Sequence, residues 1–225
     1  MRRRSDYGGV KTVQHSGAGV ANVPVIDDRT RYLVRLAAAI AGSNEQTLRA
    51  VMTEKHSAGW AEQVEAVILQ SYLFAGLPRA LNAMRAWRSL TGSQPAQPAT
   101  HGYVAMQELR AKGEATCAVV YGSSYERLRE NIRALHPEMD EWMIVEGYGK
   151  VLSRPGLDLK SRELCIVAAC AATGQKRQLH SHVRGALNSG ASRAEVAAAL
   201  DAISDLIAAD SERDAREMLS HVVGK

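Results

Sequence analysis

The sequence contains few of the residues that mark several protein classes. Its 225 residues include 3 Cys, 6 Pro and a single Phe, and aromatic residues make up only 5%. Three cysteines are too few for a disulfide scaffold, and an odd number is typical of a reducing compartment. No apolar run approaches the roughly 18–20 residues that a membrane-spanning helix requires. We therefore expect a cytoplasmic globular protein that does not enter the membrane.

Positive charge is concentrated at one end of the chain. The formal net charge is +4, and residues 1–20 supply +3 of it through four basic residues against Asp6. The remainder is nearly neutral, so the sequence predicts no basic face for nucleic acid. The tail lacks an apolar stretch after its arginines, which argues against a secretory or twin-arginine signal. We interpret residues 1–22 as a flexible basic tail.

Beyond the tail, the pattern is helical nearly throughout. Ala, Leu, Glu and Arg dominate, and the alternation typical of strands is scarce. Ser192 with Glu195 predicts a capping box, and Ser43 with Gln46 fits the same pattern. The fold class is therefore all-α. Helices are predicted near 28–41, 44–58, 61–75, 78–90, 102–112, 123–135, 138–150, 158–173, 175–189, 193–209 and 212–223.

The two halves of the chain resemble each other. A constant offset that places Pro24 on Pro155 also places Asp27 on Asp158 and Arg31 on Arg162. We interpret this as a tandem duplication of a helical unit. The predicted organisation is an N-terminal repeat at 23–91, a linker at 92–100 that contains two Pro and two Gln, and a C-terminal repeat at 101–225.

A candidate site lies on the helical hairpin at 158–190. Glu163 shares a face with apolar residues of the first helix, and His182 lies in the apolar stripe of the second. Counted from the turn at Gly174, the two residues are roughly 16 Å and 12 Å along their helices, so their side chains should lie at similar heights. A buried acid facing a buried imidazole is a plausible proton-transfer pair. A histidine that only completes the core is the alternative.

Other potential ligands show no such arrangement. His180 lies on the polar side with Arg177 and Arg184, so we expect it to be solvated. His180 and His182 point to opposite sides of one helix, and no metal site is expected. The cysteines are expected to be buried, unreactive thiols, because Cys165 and Cys170 lie on different faces of one helix.

The hairpin resembles the carboxymuconolactone decarboxylase family, whose superfamily includes the AhpD-like alkylhydroperoxidases. The similarity is strongest at about 150–210. It rests on the run 154–158, on Arg162-Glu163-Leu164, on His182, on the run 185–191 and on Glu195-Val196. The first half fits more loosely, through Phe74-Ala75-Gly76-Leu77-Pro78. The resemblance implies an AhpD-like helical fold and a homo-oligomer, trimeric or hexameric.

The resemblance also bears on the chemistry. Glu163 and His182 stand at the Glu and His positions of the AhpD pattern, but Gln175 and Gln178 stand where that pattern has its two cysteines. Thiol peroxidase activity is therefore not expected, since an amide is neither a nucleophile nor a resolving thiol. The decarboxylase branch also resembles the chain, although Glu163 departs from its pattern. Tyr32 and Val51 replace Glu163 and His182 in the first repeat, which is interpreted as structural.

The leading hypothesis is an enzyme, a lyase or isomerase that acts on a small carboxylated lactone or keto acid without a cofactor. His182 would be the acid/base and Glu163 would orient it, while Gln178 would bind substrate. Further candidates for contact with substrate are Gln175, Tyr148, Arg154 and Trp142.

Two alternatives remain. A non-catalytic oligomeric binding or scaffold protein would keep the fold without the chemistry, its alanine-rich helix faces serving subunit contacts. An antioxidant peroxidase would use Cys165 or Cys170. A cavity that contains both His182 and Glu163 would favour the enzyme over the scaffold.

Overall fold

The computed structural model describes residues 25–54, 57–94 and 106–223, and all the regular structure in these ranges is helical. The predicted tail at 1–22 and most of the linker lie outside them. The first part contains α1 (Asp28–Gly42), α2 (Glu45–Met52), a 3₁₀ turn (Ser57–Trp60), α3 (Ala61–Ala75) and α4 (Leu77–Thr91). The second contains α5 (Met106–Tyr121), α6 (Tyr125–Leu135), α7 (Pro137–Trp142), α8 (Leu159–Ala172), α9 (Lys176–Asn188), α10 (Arg193–Asp201) and α11 (Ala209–Val223). A 3₁₀ turn (Gly122–Ser124) precedes α6, and a π-helix (Met143–Leu152) continues α7. The all-α prediction is confirmed.

The order of helices follows the proposed duplication. Under the offset that places Pro24 on Pro155, the first residues of α1 and α2 fall on the first residues of α8 and α9. The starts of α3 and α4 fall one residue before those of α10 and α11. Helices α5, α6 and α7 have no counterpart within residues 25–94, so the second unit is larger. This correspondence supports the duplication, which stays a prediction.

The core is built around α1 and α8, which run parallel and pack along their length. At their C-terminal ends, a Cβ on Gly42 would lie 2.8 Å from the carbonyl oxygen of Ala172, so glycine is what permits this approach. Every residue of α8 from Ser161 to Ala171 is buried. Because α8 is enclosed on all sides, its alanines pack inside the chain and are not available as a subunit-contact face.

Helix caps explain several boundaries. The side chains of Asp27 and Asp158 accept hydrogen bonds from backbone amides three residues on, at 2.7 and 2.9 Å, and start α1 and α8. The predicted capping box at Ser192 is confirmed. The one predicted at Ser43 is wrong, because Asn44 caps α2 instead and Ser43 ends α1. Asn44 accepts a bond from the backbone of Thr47, whereas Gln46 faces no such partner.

Helix α10 is shorter than predicted, and a partly buried arginine on α1 binds the segment that follows it. Nη1 of Arg35 donates to the carbonyl oxygen of Ala202 and to the carboxylate of Asp205, both at 2.6 Å. Arg35 also pairs with Glu54, at 3.0 Å. These bonds hold the turns at 202–206, and the helix predicted at 193–209 ends at Asp201.

Two glycines bring α5 against the π-helix. A Cβ on Gly113 would lie 2.0 Å from the carbonyl oxygen of Ile144, and one on Gly149 would lie 2.1 Å from that of Leu109. The backbones therefore cross at a distance that no other residue permits. This crossing places Tyr148 and the end of α5 beside the hairpin of α8 and α9.

Candidate active site

The structure pairs the two residues that the sequence singles out. Nδ1 of His182 on α9 lies 2.8 Å from Oε2 of Glu163 on α8. Glu163 is fully buried and His182 is 5% exposed. Their neighbours Leu179, Val183 and Ala186 are buried as the apolar stripe predicts. The prediction that the two side chains face each other across the hairpin agrees with this geometry.

The pairing defines the hydrogen-bonding state of the imidazole. An ionised carboxylate only accepts hydrogen bonds, so a neutral imidazole paired with it carries its proton on Nδ1 and has its lone pair on Nε2. Within the described residues, Nε2 has no hydrogen-bond partner, and it is not among the polar atoms that are fully buried without one. The atom is therefore free to accept a proton or donate one.

Close packing holds the pair in place. A Cβ on Gly185 would lie 2.5 Å from Oε2 of Glu163 and 2.7 Å from Cγ1 of Val120. Glycine at 185 therefore opens the space that the carboxylate occupies. On another side, the ring of Phe74 contacts the imidazole edge-on, with ring centroids 5.3 Å apart. Phe74 comes from α3, so the first unit contributes to the environment of His182.

The carboxylate of Glu163 is under-satisfied. Its Oε1 is buried and lacks a hydrogen-bond partner in the part of the chain that the structure describes.

Two tyrosines lie near the pair. Burial, followed by the charges of Tyr121 and Glu163, raises the pKa of Tyr148 well above its usual value. Burial raises the pKa of Tyr121 to about 12. Both phenols therefore remain protonated at neutral pH.

The thiols are buried and unpaired. Cys117, Cys165 and Cys170 are all free, and burial raises the pKa of each to about 12. The charge of Glu163 adds to this effect at Cys170. At neutral pH these groups are thiols and not thiolates, so they are poor nucleophiles. The expectation of buried, unreactive cysteines agrees with this environment.

The remaining sequence candidates lie elsewhere. Gln175 and Gln178 are exposed at the start of α9, and Arg154 is exposed in the loop before α8. Trp142 is 59% exposed at the end of α7. No hydrogen bond or ring contact joins any of the four to His182 within the described ranges. Their role in substrate binding stays a prediction.

A cavity of about 380 Å³ lies on the outer side of α9, and sequence reasoning missed it. Arg184 and His180 of α9 line it together with Tyr121 and with Arg127 of α6. The sequence predicts a solvated His180 on the polar side of α9, which it shares with Arg184. No sequence signal showed that α6 would bring a second arginine to the same place. The cavity contains neither His182 nor Glu163.

A buried arginine supports the site from the start of α8. Arg162 is 1% exposed and donates to the carbonyl oxygens of Leu157 and Arg154, at 3.1 and 3.0 Å. It also donates to Oε1 of Gln70 on α3, at 3.0 Å. Burial lowers the pKa of Arg162. These bonds join the two units directly beside Glu163.

A comparison with known families finds a match in the C-terminal part of the chain. Residues 137–220 match the model of the carboxymuconolactone decarboxylase family. The predicted family is therefore confirmed for this segment, which contains both Glu163 and His182.

A curated relative supports the same assignment. The chain is 30% identical over 70 residues to 4-carboxymuconolactone decarboxylase of Acinetobacter baylyi (strain ATCC 33305 / BD413 / ADP1). The match covers 31% of this chain and 52% of the relative, so the chain spans about half the length of the protein it resembles. No helix in the described ranges is long and apolar enough to cross a membrane.

Proposed function

We propose that the protein is a decarboxylase-like enzyme in which His182 moves a proton at the carbon next to a carbonyl group. The observation that carries the proposal is the 2.8 Å contact between His182 and the fully buried Glu163. This contact holds one imidazole nitrogen and leaves the other available, which is the arrangement a general acid/base needs.

The substrate class is a small carboxylated lactone or keto acid, as the name of the matched relative suggests. In an isomerisation, Nε2 of His182 would take the α-proton, and the C–H electron pair would move into the enolate. The imidazolium, stabilised by Glu163, would then return that proton at another carbon. In a decarboxylation, Nε2 of His182 would first take up a proton from solvent. The bond to the leaving CO₂ would then supply the electron pair of the enolate, and the imidazolium would donate its proton to the carbon and become neutral again.

These steps use no metal or redox group. We also propose that the protein is cytoplasmic and that it assembles into a trimer or hexamer. Gln178, one helical turn before His182, remains the candidate for a hydrogen bond to substrate.

The test is turnover of a panel of carboxylated lactones and keto acids that includes 4-carboxymuconolactone. CO₂ release and exchange of substrate protons with D₂O are measured together, so that either reaction is detected. His182→Ala is expected to lower the rate by about 10²–10⁴-fold. His221→Ala, which changes an exposed histidine on α11, is the matched control and should leave the rate unchanged.

A second candidate is a non-catalytic binding or scaffold protein. It is favoured by one observation, that the cavity beside α9 contains neither His182 nor Glu163. Absence of turnover and of proton exchange across the whole panel by the pure protein would support this candidate and remove the enzyme hypothesis. A thiol peroxidase is not supported by the raised pKa of the three thiols.

A further inference from the structure

We propose that the cavity between α6 and the outer side of α9 binds a small organic dicarboxylate, held by Arg127 and Arg184. This site is separate from the Glu163–His182 pair, and the proposal does not depend on the proposed function.

The charge of the cavity is the first argument. Arg127 and Arg184 both line it, and no Asp or Glu is among its lining residues. Neither guanidinium forms a hydrogen bond or an ion pair with any residue in the described ranges, whereas Arg129 and Arg133 on the same helix α6 both bind Asp140. Two free guanidinium groups at one cavity match an anion with two acceptor groups.

The polar groups between the arginines are the second argument. Ser181 and Asn131 line the cavity and can donate hydrogen bonds. The side-chain nitrogen of Asn188 already donates to the carbonyl oxygen of Val120, at 2.9 Å, so its oxygen is available to a donor. Burial raises the pKa of Tyr121 to about 12, so its hydroxyl stays protonated at neutral pH, and hydrogen bonds with Tyr148 and Ser181 hold it at the edge of the cavity.

The volume of the cavity and its apolar lining residues favour an organic ligand over an inorganic anion. A volume of about 380 Å³ falls within the range of small-molecule sites. Val120, Leu128, Leu187 and Val222 line part of the wall. Such a wall favours a ligand with a hydrocarbon chain between its two carboxylates. Phosphate and sulfate have no such chain.

Val120 and Gly185 pack between this cavity and Glu163. Val120 lines the cavity, and a Cβ on Gly185 would lie 2.7 Å from Cγ1 of Val120 and 2.5 Å from Oε2 of Glu163. A ligand in the cavity would therefore contact the outer side of α9 without touching the carboxylate. This separation makes the two sites distinguishable by mutation.

The experiment is calorimetric titration of the full chain with adipate, with adipamide and inorganic phosphate as comparison ligands. Adipate should bind and the uncharged adipamide should not. Arg127→Gln and Arg184→Gln should each weaken adipate binding by at least about tenfold, since each removes a charge-assisted contact. Arg193→Gln, which changes an exposed arginine at the start of α10, should leave the affinity unchanged. Circular dichroism verifies that each variant is folded.

Three results would overturn the proposal. The first is no detectable heat with adipate. The second is phosphate binding as tightly as adipate, since the site would then recognise any anion. The third is adipate binding that survives both arginine substitutions but is lost in His182→Ala, which would place the ligand at the other site. Retention of adipate binding in His182→Ala, with loss in the arginine variants, supports it.

Discussion

Glu163 holds His182 by a single contact, 2.8 Å between Oε2 and Nδ1, across two helices that are adjacent in the chain. Oε1 of Glu163 has no hydrogen-bond partner among the described residues, so the carboxylate is oriented by this histidine and by packing alone. The two residues therefore depend on each other for position.

The first prediction concerns the tautomer of His182. Glu163→Gln replaces an obligate acceptor by an amide that can also donate, so the proton is no longer fixed on Nδ1. We expect kcat to fall by about 10²-fold with little change in KM, as for loss of an interaction made in the transition state. The ¹⁵N shifts of His182 should change from those of the Nδ1-protonated form. Unchanged shifts together with unchanged kcat would contradict the assigned role.

The second prediction concerns Gly185. In Gly185→Ala the new methyl group collides with Oε2 of Glu163 and with Val120. The free energy of unfolding should fall by about 1–3 kcal/mol, the usual cost of overpacking. Urea denaturation measures it. Gly147→Ala is the control, because its nearest neighbour would be 3.9 Å away. Equal stability of the two variants would show that the site tolerates the extra atom.

The third prediction concerns Arg162. Arg162→Lys retains the charge but cannot reach the carbonyls of Leu157 and Arg154 together with Gln70. We expect a loss of roughly 2 kcal/mol or more in unfolding free energy, since buried acceptors lose their donors. The exposed Arg154→Lys should change stability by less than about 0.5 kcal/mol. Chemical denaturation of both variants makes the comparison. Equal losses would argue against the buried network.

The fourth prediction concerns pH and Asp140. Burial alone would raise the pKa of Asp140, but Arg129 and Arg133 hold it below its usual value. A lowered pKa in the folded state means that the contribution to stability is complete above the unfolded pKa of about 3.9 and is lost as pH falls through the folded value. Asp140→Asn should cost about 3 kcal/mol at pH 7, because it removes the closer counter-ion of the buried Arg129 and leaves only Glu114, at 3.7 Å.

This difference from the unmodified chain should shrink as pH falls below about 4, because the unfolded chain then takes up a proton at Asp140 while the folded carboxyl, with its lowered pKa, stays ionised to lower pH. Denaturation curves at several pH values measure it. The matched control is Asp210→Asn, since Asp210 is 82% exposed in its pair with Arg213. A cost at Asp140 that stays constant down to the lowest pH would mean that the carboxyl charge is not what stabilises the pair.

The fifth prediction concerns the thiols. The pKa of each of the three cysteines is raised to about 12. At pH 8 the folded protein should react with a disulfide reagent far more slowly than the protein in urea, in which all three thiols should react. Mass spectrometry counts the labelled sites. Rapid modification of Cys165 or Cys170 in the folded protein would restore the peroxidase hypothesis.

Sequence reasoning was most successful where a local pattern has a local cause. The Ser192 capping box and the starts of α1 and α8 depend on residues three positions apart, so a linear pattern contains all the information. The pairing of Glu163 with His182 was also predictable, because a short turn fixes the register of two successive helices. The early end of α10 was not, since Arg35, which terminates it, is far away in the chain.

By itself, the sequence determined the helical class, the resemblance to the family and the two residues that face each other across one hairpin. Helix periodicity and helix rise suffice for these, as both act within a few turns of the chain. Only the tertiary structure decided which oxygen of Glu163 is held, why residue 185 must be glycine, and that Arg127 meets Arg184 at a cavity. Those features depend on the packing of helices far apart in sequence, where the position of one side chain is set by atoms that no local pattern contains. The three cysteines show the same division: their small number excluded a disulfide scaffold, and their burial, which raises the pKa of each thiol, predicts low reactivity.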